Sequence, residues 1–381
     1  MKKILVINTI YKEKGGEDTN IVDEIIFLKK HYDIKYLEFK NSDKLKLIDY
    51  LAFFTTSNRK SNKILKDVLN EFKPDLAYVH NTWFKANLGI FRILGKNNVT
   101  TYLKIHNFRY FCTKFFLVRN HIKTENFCYM CNLNNTDQKI INYYFKDSKV
   151  KSFFMINYGK RYYRLIQKSK IKLLVMTNFH KEFLEKNKFK PENIHIYPNP
   201  IESPDNYNYD QNSNYVVYAG RLSADKGIEE LINAWINSNV KSLVLKVIGG
   251  GELLEPLKKK YNKFNVDFLG EKEHDSTLKL IEKSRGVITA TKMFEGQPRL
   301  LCEASIRGIP SLFPKFGGMA EFFPDNYPLT FKQFDYIDLK TKIELFQDSN
   351  KLKKISKDIY NFSEKEFTEN KLKLSFERII S

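Results

Sequence analysis

The chain has 381 residues, 42% of them hydrophobic and 14% aromatic, which excludes a disordered chain and is enough for two domains with separate cores. No apolar run approaches the roughly 20 residues that span a bilayer, and the apolar part of Met1-Lys2-Lys3-Ile4-Leu5-Val6-Ile7-Asn8 is too short for a signal peptide, so a cytoplasmic protein is expected. The net charge of +20 is uneven: residues 1–200 hold 37 Lys and Arg against 18 Asp and Glu, and residues 201–381 hold 27 against 26. Such an excess in the first half points to an anionic partner there (a phosphorylated acceptor, an anionic membrane surface or a nucleic acid) or to solubility alone.

In chain order, Lys3 to Asn8 reads as a buried strand, followed by Lys14-Gly15-Gly16-Glu17-Asp18 and an amphipathic helix from Thr19 to Lys30. A glycine turn between strand and helix lets backbone N–H groups approach a phosphate. Strands at Ile34 to Phe39, Leu76 to Val79 and Thr100 to Ile105, with helical patterns between them, give the alternation of a doubly wound parallel sheet. The fourth strand ends in His106-Asn107-Phe108-Arg109, at the sheet edge where open α/β folds bind ligands. Cys112, Cys128 and Cys131 follow; with His106 or His121 they form a candidate zinc set, and unliganded thiols are the other reading, because four ligands are not evident from the spacing.

Residues 143–172 carry nine Lys and Arg, one acid and eight aromatics. This composition fits a helix at a membrane interface, a surface that stacks single-stranded nucleic acid, or a surface helix whose aromatics face the core. Strands at Lys172 to Thr177 and Asn193 to Tyr197 lead to a polar, proline-containing segment running to Asn214. Beyond it the pattern restarts: Tyr215 to Ala219, then Gly220-Arg221-Leu222 and Lys226-Gly227, then strands at Leu243 to Ile248, Val266 to Leu269, Gly286 to Thr289 and Ile309 to Phe313. Arg221 and Lys226 stand where they can clamp a diphosphate. Gly249-Gly250-Gly251 and Gly317-Gly318 are further turns for close backbone approach, and residues from about 334 onward read as charged amphipathic helices.

The stretch Phe294-Glu295-Gly296-Gln297-Pro298-Arg299-Leu300-Leu301-Cys302-Glu303-Ala304 places Glu295 before a helix and Glu303 within it, with Pro298 in the first turn and Gly308 with Pro310 closing the helix. At about 1.5 Å rise per residue the carboxylates lie on the order of 12 Å apart, too far to act as acid and base on one bond. They can grip two ends of one ligand, and the helix N-terminus between them favours a phosphate. That combination predicts a nucleotide-sugar, with Glu295 on the sugar and Glu303 on the ribose.

Together, Gly15-Gly16-Glu17-Asp18, His106 to Arg109, Gly220-Arg221-Leu222 with Lys226-Gly227, Gly249 to Gly251, Glu295 to Glu303, and Gly317-Gly318 with Glu321 resemble glycosyltransferase family 4 over most of the chain. The resemblance implies a retaining enzyme of the GT-B architecture, α/β, with two Rossmann-like domains facing across a cleft. It implies an acceptor domain at 1–200, a linker at 201–214, a nucleotide-sugar domain at 215–360, and a helix at 361–381 packing back on the first domain. By the same resemblance, His106, Glu295, Arg221 and Lys226 carry catalysis. Gly16, Gly249, Gly251, Arg299, Leu300 and Glu303, together with Arg221, Lys226 and Glu295, bind the donor, a UDP-sugar. No cofactor or metal is implied. Gln297-Pro298-Arg299 between the glutamates is similar to a branch handling cell-surface polysaccharides, whereas Ala320 before Glu321 departs from the common form. The expected acceptor is a glycan on a lipid pyrophosphate at the inner face of the cell membrane, with a small soluble phosphorylated acceptor as the second possibility. Nucleic-acid binding is disfavoured because it needs neither the paired glutamates nor the duplicated strand-glycine-helix units.

Overall fold

The computed structural model describes residues 1–10, 16–41, 52, 54–108, 148–204 and 206–381. Gly15, Arg109, Cys112, His121, Cys128 and Cys131 lie outside the described residues, and with them the candidate zinc set. Among the described residues the chain forms two compact units that divide between Pro200 and Ile201.

The first unit is built on a parallel sheet of β1 (Lys3–Ile10), β2 (Asp33–Lys40), β3 (Leu76–Val79), β4 (Thr100–Lys104), β5 (Lys172–Val175) and β6 (Ile194–Ile196), in the order β2-β1-β3-β4-β5-β6. The strands form from continuous apolar runs because a parallel sheet is covered on both faces. Ile4, Leu5, Val6 and Ile7 are fully buried, as are Ala77, Tyr78 and Val79. The helix Gly16–Lys29 begins three residues before the expected Thr19, so Gly16 is its first residue.

The second unit holds β7 (Tyr215–Ala219), β8 (Val244–Ile248), β9 (Val266–Gly270), β10 (Gly286–Ile288), β11 (Ser311–Pro314) and β12 (Thr330–Phe331), in the order β12-β11-β10-β7-β8-β9. Its core joins Val216, Val217, Leu245, Val287 and Leu312 to Ile228, Leu231, Ile232 and Trp235 of the helix Ile228–Ile236. Residues of the polar segment before β7 are tied to this unit: Tyr209 Oη donates to the Arg285 carbonyl at 2.9 Å and Ser213 Oγ to that of Lys283 at 2.7 Å. The helices Ser349–Glu366 and Glu369–Ile380 also belong to it, the latter burying Leu372, Phe376 and Ile380. Strand order reverses between β1 and β3 in one sheet and between β7 and β10 in the other. The carboxyl ends of strands at such reversals are where open α/β sheets take ligands.

The basic aromatic segment contains the helix Lys149–Lys168. Tyr158 and Tyr162 are buried against Trp83, with ring centroids 4.9 and 5.7 Å away, and Tyr163 Oη donates to the Asn187 carbonyl. Lys149, Arg161, Arg164 and Lys168 are exposed. Bases and aromatics that interleave in sequence therefore separate onto different faces, and Tyr158 and Tyr162 belong to the core.

Candidate active site

At the reversal in the second sheet, the chain leaves β7 through Gly220-Arg221-Leu222-Ser223, makes a short turn at Ala224–Lys226, and enters the helix Ile228–Ile236. Gly227 has φ 64°, and a Cβ there would sit 2.1 Å from the Ala290 carbonyl oxygen beyond β10. The loop after β8 is pressed on this turn in the same manner. Gly249 has φ 134°, a Cβ on it would lie 2.0 Å from the Gly220 oxygen, and Leu222 N–H donates to the Gly250 carbonyl at 2.7 Å. Gly251 lies close against the Leu222 carbonyl. These glycines are needed first for backbone clearance, since no side chain fits where one loop meets the next. The resulting surface of closely stacked peptide groups is the kind that admits a phosphate.

Two charged groups from neighbouring loops meet here. Lys226 Nζ lies 2.6 Å from Glu295 Oε1, and Thr291 Oγ1 donates to the same oxygen at 3.2 Å. Both side chains of the ion pair keep some access, 25% and 21% exposed. Arg221 is bound within its own loop, Nη2 donating to Asp225 Oδ2 at 3.0 Å and Nε to Ser223 Oγ at 3.1 Å, with 57% of the side chain exposed. Lys292 pairs with Glu230 at the mouth of the same helix.

Pro298 has φ −73° and ψ 109°, so it flanks the helix Arg299–Ile306 and does not occupy its first turn. Its ψ is extended, and no side chain caps the N-terminus. Arg299 Nε donates to Glu303 Oε1 at 2.6 Å, and His274 Nε2 lies 3.2 Å from the same oxygen and 3.0 Å from Arg299 Nη2. Arg307 Nη1 donates to the Glu303 carbonyl at 3.2 Å. Burial pushes the Glu303 carboxyl above its ordinary range, and Arg299, His274 and Arg307 oppose that rise. Leu300 is half-buried against the core. The second unit thus brings Lys226 together with Glu295 and Arg299 together with Glu303, whereas Arg221 touches neither pair. His274 escaped the sequence reading, although it opens the helix after β9 on the ligand-bearing edge. Asking which polar residue follows each strand would have found it.

In the first unit His106 stands beyond β4, and its Nε2 is 2.9 Å from Nδ1 of His80, which follows β3. Burial pushes both imidazoles down, aided at His106 by Lys104 and His180 and at His80 by His106 and Lys104. Beneath them Lys104 and Glu24 form a fully buried ion pair at 2.8 Å, with Tyr78 Oη donating to Glu24 Oε1 at 2.6 Å. Gly16 opens the helix that carries Glu24. Among the described residues, no group of His, Cys, Asp and Glu is arranged to hold a metal ion.

Residues 201–362 match the family model of glycosyl transferases group 1. The chain is similar to the amylovoran biosynthesis glycosyltransferase AmsD of Erwinia amylovora, 28% identical over 165 residues, 41% of this chain and 46% of that protein. It is also similar to the O-antigen biosynthesis glycosyltransferase WbnH of Escherichia coli, 29% identical over 211 residues, 54% of this chain and 57% of the relative. The chain therefore spans about half the length of the curated relatives it matches. Among solved structures, Anabaena Alr3699/HepE in complex with UDP-glucose aligns over 100% of this chain and 99% of its own, with a TM-score of 0.66 at 14% identity. Sucrose-phosphate synthase from Thermosynechococcus elongatus aligns over 100% and 98%, with a TM-score of 0.70 at 13% identity. The two parallel sheets and these neighbours bear out the expected architecture. Over residues 201–362 the chain matches the model of glycosyl transferases group 1, and its two-unit α/β fold is of the GT-B kind.

Proposed function

We propose that the chain is a retaining glycosyltransferase of family 4 that moves a sugar from a UDP-sugar to a glycan acceptor in cell-surface polysaccharide synthesis. The observation that carries this reading is the Lys226–Glu295 pair at the reversal point of the second sheet, beside the uncapped N-terminus of the helix Arg299–Ile306. Lys226 and Arg221 meet the diphosphate, the helix N–H groups add partial positive charge, and Glu295 accepts from sugar hydroxyls. Glu303, oriented by Arg299 and His274, accepts from the ribose. His106 hydrogen-bonds the bound substrate. The anomeric carbon loses its bond to the diphosphate oxygen and gains one to the acceptor oxygen on the same face, and the acceptor proton passes to the leaving phosphate. Rate then rests on charge stabilisation and positioning. The relatives named for amylovoran and O-antigen synthesis support a polysaccharide acceptor. The exposed Lys149, Arg161, Arg164 and Lys168 suit a lipid pyrophosphate at an anionic membrane surface on its cytoplasmic side. Titration calorimetry with UDP tests the donor assignment: binding to the wild type and a tenfold or greater loss in Lys226→Ala are expected, and equal affinity in both refutes it.

A further inference from the structure

The histidine pair of the first unit carries an inference that rests in part on the proposed function. Parallel pairing matches Val79 to Leu103, so His80 stands beside Lys104, one position beyond that pair. Alternation puts Tyr78 with His80, and Lys104 with His106, on common faces. The Tyr78 and His80 rings are 4.6 Å apart, and the His80 and His106 rings lie within 23° of parallel. His80 is buried, 4% exposed, and its Nε2 has no partner among the described residues. His106 is half-buried, and its Nδ1 is engaged by none of them.

Between His80 Nδ1 and His106 Nε2 there is a single hydrogen bond of 2.9 Å, and one ring must donate it. If His106 donates through Nε2–H, neutral His80 carries its own hydrogen on Nε2, where a buried N–H finds no acceptor. If His80 donates through Nδ1–H, its Nε2 is a bare lone pair. A buried orphan N–H is the rarer and costlier arrangement. Protonating either ring satisfies the contact too, but places a second cation near buried Lys104, and both imidazoles are pushed down by burial. The neutral pair with His80 donating remains.

We infer that His80 is a positioning residue that fixes His106 in its Nδ1–H tautomer, so that His106 offers its substrate a hydrogen-bond donor at Nδ1. Free imidazole side chains favour the opposite, Nε2–H form, so the tautomer separates an imposed state from a default one. The ligand of such a donor is an oxygen with a free lone pair, such as a sugar hydroxyl.

The test is a two-bond proton–nitrogen correlation spectrum of the ligand-free protein labelled at histidine nitrogens, with assignments from His80→Asn, His80→Leu and His106→Gln. The expected hydrogen is on His106 Nδ1 in the wild type and in His80→Asn, whose amide nitrogen can take the place of the donor. In His80→Leu it moves to Nε2. In donor turnover, kcat falls about tenfold in His80→Leu, the worth of one hydrogen bond, with little change in KM for the UDP-sugar, and recovers in His80→Asn. A wild-type His106 with its hydrogen on Nε2, or a His80→Leu protein that keeps it on Nδ1, overturns the inference. Should His80→Leu fail to fold, the wild-type spectrum decides alone. An Nδ1–H His106 in a protein that transfers no sugar counts against the proposed function and leaves the tautomer assignment standing.

Discussion

Replacing Glu24 by Gln keeps the size of the side chain and removes only its charge. Lys104 would then hold its ammonium, wholly buried, against the Tyr197 ring at 4.5 Å and the Pro198 carbonyl at 3.5 Å, with no carboxylate. Removing one partner of a buried pair costs about 3–5 kcal/mol, because the remaining charge has left water without compensation. For a unit of this size, each kcal/mol shifts the midpoint by about 2–4 °C, so a fall of roughly 6–20 °C in the melting of the first unit is expected at pH 7. The sign of the pH dependence follows from Lys104, whose pKa burial already depresses and which Glu24 supports. Without Glu24 the depression deepens, and the folded chain binds fewer protons than the unfolded one between that lowered value and the ordinary lysine value. Stability in that window rises with pH. The gap between Glu24→Gln and wild type should therefore narrow as pH is raised from 7 toward 10. The double variant Glu24→Leu with Lys104→Met should recover part of the loss, since a buried pair can give way to apolar groups, while the Tyr78 hydroxyl loses its Glu24 acceptor. Calorimetric melting across pH is the assay. A Glu24→Gln protein within about 1 kcal/mol of wild type at pH 7, or a gap constant with pH, would refute the reasoning.

Glu295→Gln should lower transfer about a hundredfold or more, as loss of a group that positions charge does, while changing stability by less than about 1 kcal/mol because its pair with Lys226 is partly exposed; near wild-type turnover would end its assignment. Gly249→Ala drives a Cβ to 2.0 Å from the Gly220 oxygen at φ 134°, so the loops must part; a destabilisation of about 3 kcal/mol or more in urea, or lost UDP binding, is expected, and unchanged values of both would show the clearance to be dispensable. Arg299→Ala removes the hydrogen bond to Glu303 Oε1 and leaves the carboxylate to His274 and Arg307, and the UDP affinity should drop about tenfold, one hydrogen bond's worth; calorimetry that finds it unchanged removes Glu303 from the ribose.

The strands were legible because parallel sheets bury both faces. Ile4 to Ile7, Leu76 to Val79 and Tyr215 to Ala219 read as unbroken apolar or aromatic runs. Thr330–Phe331 was missed, two residues being too short for any period. Strand order was not legible, since periodicity carries no record of neighbours, and it is the order that puts the loops after β7 and β10 side by side. Lys104 in Thr101-Tyr102-Leu103-Lys104-Ile105 looks like a polar interruption; its partner is 80 positions away on a helix. His80 and His274 were invisible for a related reason: a single histidine at a strand or helix end has no pattern until the residue it touches is known. The glycines announced their turns, but only the structure assigns Gly227 and Gly249 to carbonyl clearance.

The contact between Lys226 and Glu295 also bears on which molecules the second unit can recognise. Lysine and carboxylate, 2.6 Å apart, neutralise each other when nothing is bound. In the proposed reading a diphosphate that reaches Lys226 competes with Glu295 for its ammonium, and a carboxylate freed by that competition becomes an acceptor for hydroxyl groups. In that reading a sugar without a phosphate meets a Glu295 whose Oε1 is already engaged by Lys226 and Thr291. In that reading, recognition of the sugar is coupled to recognition of the phosphate through one shared ion pair.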